Sequence, residues 1–408
     1  MTFRCWIAGG LCAVSLLAQA AETESWNAHF QSTYVWQEKP EMSSPYQGGN
    51  SLLARREKSY SFTATAALGV RVAEHTELYV DPEVAQGVPL SGLLGLAGFT
   101  NGELAKTSGA SLKGYRARLF MRQTIGLGGE STWTESSANQ LAGYQDANRV
   151  VLTLGELAVL DLFDNSSLAH DPRTQFMNWA FMTHAAYDYP ADSRGYTYGL
   201  TAEYFSGDWS ARFGRYAEPI EPNGLQLDGH LLRHFGDQVE LTHSHEWNDQ
   251  PGAVRLLAYR TRAVMTRYED ALQAASMSGG SPALDEARLS VHTKHGLGIS
   301  VEQHVTQDLG VFGRYMHADG HTETYAFTEA DVSASMGAVW SGQAWHRDED
   351  QLGVALAVSG LSQPHRAFLA QGGSSFFLGD GRLTYGPEQV MEVFYSLPVY
   401  KGVHLSLD

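Results

Sequence analysis

Two groups of residues in this chain have the types and spacing to do chemistry. Arg116, Arg118 and Arg122 stand at i, i+2 and i+6, so on an extended strand all three share one face. The second group is the stretch 160–194, which carries Asp161, Asp164, Asn165, His170, Asp171, Arg173, Phe176, Trp179, His184, Asp188, Asp192 and Arg194. Guanidinium and carboxylate groups make directional, bidentate hydrogen bonds, and aromatic rings offer flat apolar surfaces. Their chemistry is non-covalent recognition of something polar, or mutual bracing, and not bond cleavage. G-x-S-x-G, P-loop and H-E-x-x-H signatures are all absent. A dispersed catalytic set would demand a Ser–His pair in hydrogen-bond reach at the outer rim.

Three arginines on one strand face are costly unless that face meets water or paired carboxylates. Ser25–Gln37 alternates strictly, with Trp26, Ala28, Phe30, Ser32, Tyr34 and Trp36 on one face and polar residues on most of the other. Tyr60–Arg71 repeats the pattern, and Tyr115–Thr124 puts Tyr115, Ala117, Leu119 and Met121 opposite the arginines. From Tyr196 onward, strand-like segments follow one another as hairpins to the end of the chain. Short links near 73, 207, 250, 307, 345 and 400 alternate with long ones at 38–58, 85–112, 158–194, 218–235, 263–291 and 362–386. The connection 126–147 breaks this rhythm, being long where a short turn is due. The stretch 160–194 has neither a helical face nor a period of two, and it is too rich in Phe, Trp, Tyr and Met to be disordered; it reads as a loop folded inward.

The first twenty residues have a basic Arg4, an apolar run and an Ala18-Gln19-Ala20 ending, the pattern of an export signal cleaved near Ala20 or Ala21. Cys5 and Cys12, the only cysteines, lie inside it, so the mature chain 21–408 holds no disulfide and no cysteine metal site. The formal charge of −17 disfavours nucleic acid, and no later run is apolar enough for a membrane helix. An exported chain without such helices enters a membrane as a closed sheet. The fold class read here is all-β: a transmembrane antiparallel β-barrel of sixteen strands, of which fifteen are counted and the last is missing from this truncated chain, with a long loop in the lumen. A soluble β-sandwich or propeller shares the alternation, but not such long strands with such asymmetric loops.

The runs LFDNSSLAHDPRTQFMNWAFMTHAAYDYPADSRGYTYG, SGLLGLAGFTNGELAKTSG and YRARLFMRQTIGLGGE resemble the carbohydrate-selective porins, the OprB family, and the resemblance extends from about Trp26 to the end. It implies a sixteen-stranded channel of the bacterial outer membrane that passes sugars such as glucose by diffusion through a narrowed, charged and aromatic middle. A sugar presents hydroxyls in fixed directions and apolar C–H faces. The expected constriction therefore sets Arg116, Arg118 and Arg122 against Asp161, Asp164, Asp171, Asp81 and Glu83, with Asn165 beside them and Phe176 and Trp179 adding aromatic surface. The same Arg–Asp pairs could equally brace the loop against the wall. Arg173 reads as a structural pair near the loop base. His243 and His245 share a strand face but have no third ligand, so no metal site is assigned, and His317 and His321 read as solvated. The expected partners are mono- or oligosaccharides, outer-membrane lipid and lipopolysaccharide, as a monomer or homotrimer, with no cofactor and no enzymatic activity. A general porin, an adhesin or a barrel enzyme are the alternatives.

Overall fold

The alternation read in the sequence continues around the whole molecule. The computed structural model describes residues 3–8, 23–44, 47–95, 99–104, 106 and 109–408. The expected cleavage positions Ala20 and Ala21, and Cys12, lie outside these residues. Strands β1 (Phe3–Ala8), β2 (Trp26–Lys39), β3 (Glu57–Ala73), β4 (Thr76–Val88) and β5 (Lys113–Gly126) come first. A small hairpin, β6 (Ser131–Thr134) and β7 (Gly143–Asp146), forms its own two-stranded sheet, and β8 (Arg149–Leu157) then leads into the long inserted loop. After it come β9 (Thr197–Ser206), β10 (Trp209–Tyr216), β11 (Phe235–Trp247), β12 (Gln250–Val264) and β13 (Val291–His304). The last five are β14 (Leu309–Ala318), β15 (Val332–Gly342), β16 (Arg347–Gly360), β17 (Glu388–Tyr400) and β18 (Val403–Leu407).

All except β6 and β7 pair antiparallel with their neighbours in one closed barrel of sixteen strands. The sequence reading left the sixteenth place empty. Here β1, which lies inside the stretch read as an export signal, occupies it, pairing through its backbone with β18 on one side and β2 on the other. A closed barrel leaves no strand edge unpaired, which is the condition for carrying a sheet through lipid.

Side chains sort by face as a membrane barrel requires. Trp26, Phe30 and Tyr34 are exposed on β2 while Asn27, Thr33 and Gln37 are buried inside it. Leu154, Leu200, Tyr204, Phe213, Val239, Leu241 and Leu256 continue the exposed apolar belt. In water such a belt would be a large aggregation-prone patch; against lipid tails it is satisfied. A soluble sandwich would bury these residues, so that alternative falls.

The loop between β8 and β9 carries the molecule's apolar core into the lumen. Phe163, Leu168, Phe176, Phe181 and Tyr187 join one buried cluster with the inward-facing Tyr216, Tyr259, Phe312, Met316 and Phe394 of the wall. Phe176 is fully buried, with ring centroids 4.9 Å from Phe394 and 5.6 Å from Phe312. The loop is thus packed onto the β10–β17 side of the barrel. Two cavities that meet at the loop lie on the other side, along β3, β4 and β5.

Candidate functional site

The open side of the lumen is built on β5, and one irregularity decides which of its residues face inward. Asp81 pairs with Arg118, but the next residue of β4, Pro82, pairs with Arg116, so Ala117 is an extra residue in β5. Proline has no N–H to give to the ladder, and strands accept it at edges or bulges. The bulge flips the alternation. Below it, Leu119 and Met121 face out and Arg118, Phe120 and Arg122 face in; above it, Tyr115 faces in and Arg116 faces out. Arg116 lies on the same outer face as Pro82 and binds Glu156 at 2.6 Å, with its side chain 55% exposed. The expectation that all three arginines line the lumen therefore fails for Arg116, because a strict period of two does not survive a bulge.

Arg118 and Asp161 form the centre of the site. The guanidinium meets Asp161 through two parallel hydrogen bonds, Nε to Oδ2 at 2.7 Å and Nη2 to Oδ1 at 2.6 Å, and Nη1 reaches Asp81 Oδ2 at 3.3 Å. This fork geometry is the strong form of the interaction. Asp161 ends a short 3-10 turn, Val159–Asp161, and accepts the Ala158 N–H at 3.1 Å, which fixes its direction. Burial alone would raise the Asp161 carboxyl, but the Arg118 guanidinium outweighs it and holds the group below the usual carboxylate range.

Two cavities adjoin at Asp161 and His170. The outer one, of about 270 Å³, is lined among others by Glu83, Glu103, Tyr115, Asp171, Arg173, Trp179, Arg194 and Tyr196. Glu83 accepts the Thr65 hydroxyl at 2.6 Å, the Tyr196 hydroxyl at 3.1 Å and the Tyr115 hydroxyl. Arg173 Nε lies 2.9 Å from Glu103, and Arg194 sits 4.8 Å above the Tyr115 ring. The inner cavity, of about 320 Å³, is lined by Phe120, Arg122, Ala138, Asn139, Thr153, Leu157, Leu162 and Asn165 in addition to the two shared residues.

The remaining expected residues divide. Asp171 lines the outer cavity but also caps its own turn, accepting the Arg173 N–H at 3.0 Å and the Thr174 hydroxyl at 3.1 Å. Trp179 lines it too, yet it lies flat against Phe327 at 5.3 Å and donates its indole N–H to the Asn101 carbonyl at 3.0 Å, so it is largely buried wall. Asp164 is not at the passage. It is 1% exposed, binds Arg314 at 3.0 Å and the Thr183 hydroxyl at 2.8 Å, and pins the loop to β14. Phe176 likewise belongs to the core. Both corrections share a cause: the loop needs an interior of its own, and Asp164 and Phe176 go to building it.

Sequence reasoning missed Tyr115, Tyr196, Glu103, Arg194 and His170 as lining residues, and it assigned Arg173 to a structural role. Pro82 inside a strand was the available signal for Tyr115. His243 and His245 continue the outer face of the exposed Val239 and Leu241; His243 stacks edge-on against Trp209 at 4.4 Å. Among the described residues, no group of three His, Cys, Asp or Glu side chains is arranged to hold a metal.

A family model described as "Carbohydrate-selective porin, OprB family" matches residues 54–407. No curated protein sequence matches the chain. Among solved structures, the high-pH form of Pseudomonas putida OprB is similar over 94% of this chain and 92% of that one, at 15% identity and a TM-score of 0.64. Its low-pH form covers 99% of this chain and 88% of that one, at 12% identity and a TM-score of 0.43. Pseudomonas aeruginosa OccK2 covers 98% and 87%, at 8% identity and a TM-score of 0.41.

Proposed function

Because the chain belongs to the carbohydrate-selective porin, OprB family, and is a passive outer-membrane channel for sugars, we propose that its solutes move from the outer cavity past Asp161 and His170 into the inner one. The observation that carries this route is the meeting of the two cavities beside the Arg118–Asp161 pair. At about 270 and 320 Å³ they lie at or just below the small end of small-molecule sites, roughly 300–1,000 Å³. Each therefore suits one sugar ring at a time, glucose among them, and a longer oligosaccharide must thread.

The lining fits a polyol. Glu83 and Asp161 accept hydrogen bonds from hydroxyls, Arg173 and Arg194 donate to them, and the half-buried Tyr115 and Tyr196 rings offer surface to C–H faces. Asp161 is already paired with Arg118 and Arg173 with Glu103, and Glu83 already accepts three hydroxyls, so a sugar competes for hydrogen bonds and is held weakly. Weak holding is what flux requires. The balance of both signs at the neck predicts weak ion selectivity and a preference for neutral solutes. The porin fold and family point to a channel and not to an enzyme. A cleaved leader 1–20, whose removal would take β1 out of the barrel and open the sheet between β18 and β2, contact of the apolar belt with lipid and lipopolysaccharide, and a monomeric or trimeric state complete the proposal.

The test is single-channel conductance with and without glucose, together with liposome swelling in glucose and in size-matched linear polyols. Sugar-dependent block and faster entry of glucose are expected. If neither is seen while the channel conducts, the chain is a general porin in which Arg118 and Asp161 only brace the loop.

A further inference from the structure

The connection between β5 and β8 is long where its neighbours at the same end of the barrel are tight turns, and the passage described above does not account for it. Its β6–β7 hairpin leaves Ser131, Thr132 and Tyr144 exposed, but its tip is tied to the barrel wall. The turn at its tip, Ser137–Gln140, closes with reciprocal backbone hydrogen bonds of 3.0 Å, with Asn139 in the left-handed region at φ 60°. That conformation is one asparagine tolerates better than most residues. The tip is held in the lumen from four strands. Asn27 of β2 donates to the Gln140 carbonyl at 2.8 Å, and Arg71 of β3 reaches the Ala142 carbonyl at 3.5 Å. From β4 the Tyr79 hydroxyl accepts the Leu141 N–H at 3.1 Å, and from β5 Arg122 donates to the Asn139 carbonyl at 2.8 Å. Leu141 is 1% exposed and belongs to the same apolar cluster as Tyr79 and Phe120.

Two further contacts tie this tip to the neck. The Asn139 side-chain amide donates to Asp81 Oδ2 at 2.8 Å, the same oxygen that Arg118 approaches at 3.3 Å. Ala138 and Asn139 then line the inner cavity directly, facing Asp161 and His170 across it. A loop entering from the long-loop end and a hairpin entering from the short-turn end thus meet on one carboxylate pair. A hydrophobically anchored hairpin, tied down on four strands, is a rigid part of the lumen and not a mobile tail.

We propose that this hairpin tip is the second lip of the constriction and makes the inner cavity a separate exit station for one sugar ring, with Ala138 and Asn139 setting what leaves. The station would hold a ring between the polar Asn139, Arg122, Thr153 and Asn165 and the apolar Phe120 and Leu157. Selection by size and hydrogen bonding would then operate twice, once on each side of Asp161. The proposal rests on the porin reading for the nature of the solute, but not for the position of the obstruction.

The test uses the mature sequence's lack of cysteine. Ala138→Cys and, as control, Ser131→Cys at the far end of the hairpin are inserted in bilayers and treated with a bulky cationic thiol reagent. Labelling is verified by mass. Modification at 138 is expected to lower conductance and glucose entry about two-fold or more, while modification at 131 changes neither. Asn139→Ala should speed disaccharide entry relative to glucose, with the barrel still showing heat-modifiable migration. Complete labelling at 138 with current and flux unchanged overturns the proposal. Block of current by label in a parent channel that shows no sugar preference would keep this inference and defeat the sugar reading, so the two failures are distinguishable. Should Ala138→Cys fail to fold, replacing 136–141 by a Gly-Ser turn gives the converse readout: larger conductance supports the second lip, and unchanged conductance refutes it.

Discussion

Arg118 has two carboxylate partners of different standing, and removing each side of the pair should read differently. Asp161 is one-third exposed, Asp81 only 1%. Asp161→Asn leaves Arg118 with Asp81 and is expected to cost about 1–2 kcal/mol of barrel stability, since the pair is partly screened. It should also shift the reversal potential in a salt gradient towards anions, because one negative charge leaves the neck. Arg118→Met strands Asp81 in a buried position and should cost roughly 3–5 kcal/mol, read as a lower temperature of heat-modifiable unfolding. A second residue-level expectation concerns acid. Burial, opposed by Asp164 and reinforced by Arg314, pulls His184 down to about 4; burial pushes Asp164 up, but Arg314, His184 and Thr183 together bring it down to about 2. Unfolded His184 binds its proton near pH 6.5, so the folded loop loses stability as pH falls from about 6.5 to 4. Asp164 contributes its share above about pH 4 and loses it as pH falls towards 2. Melting followed against pH should show two successive declines, and His184→Gln should shrink the first by on the order of 3 kcal/mol, leaving the part due to His170, which burial also lowers. One smooth decline unaffected by His184→Gln would refute the assignment.

At the scale of the element, the bulge opposite Pro82 is the device that gives the passage its lining. Without Ala117 as an extra residue, Arg116 would point inward and Tyr115 into lipid, and Glu83 would lose a phenol partner. Gly155 of β8 serves the same region: its φ is 140°, and a Cβ there would stand 2.6 Å from Phe120 Cα. Single cysteines separate the two faces. Tyr115→Cys should react with a small charged thiol reagent and reduce current, whereas Arg116→Cys should leave current unchanged on labelling. The reverse pattern would mean that β5 runs straight. The strand lengths and hairpin order were legible in the sequence, because alternation and turn residues are local. The bulge left only Pro82 as a trace, and its consequence for Tyr115 required the pairing partner.

For the whole molecule, the inverted arrangement of faces makes the plainest prediction. Leu256→Arg on the outer belt, where Leu256 is 48% exposed, should destabilise the barrel in lipid by about 2–4 kcal/mol if it sits near the bilayer centre. Fluorescence-monitored unfolding from liposomes measures this, and an effect within about 0.5 kcal/mol, as for an ordinary surface substitution, would place that face in water. By itself the sequence determined the class. A period of two and the rhythm of short and long links leave a membrane barrel with an inserted loop, since no other arrangement satisfies both backbone and lipid. It also singled out Arg118, Arg122, Asp81, Glu83 and Asp161 by type as candidates for the neck. What only the tertiary structure decided is the division of the inserted loop into core and lining. Asp161 and Asp164 are three residues apart, yet one meets Arg118 at the passage and the other meets Arg314 inside the packing. Which way each turns depends on strands more than 40 and 140 positions away, and a sequence written in local periodicities carries no record of those contacts.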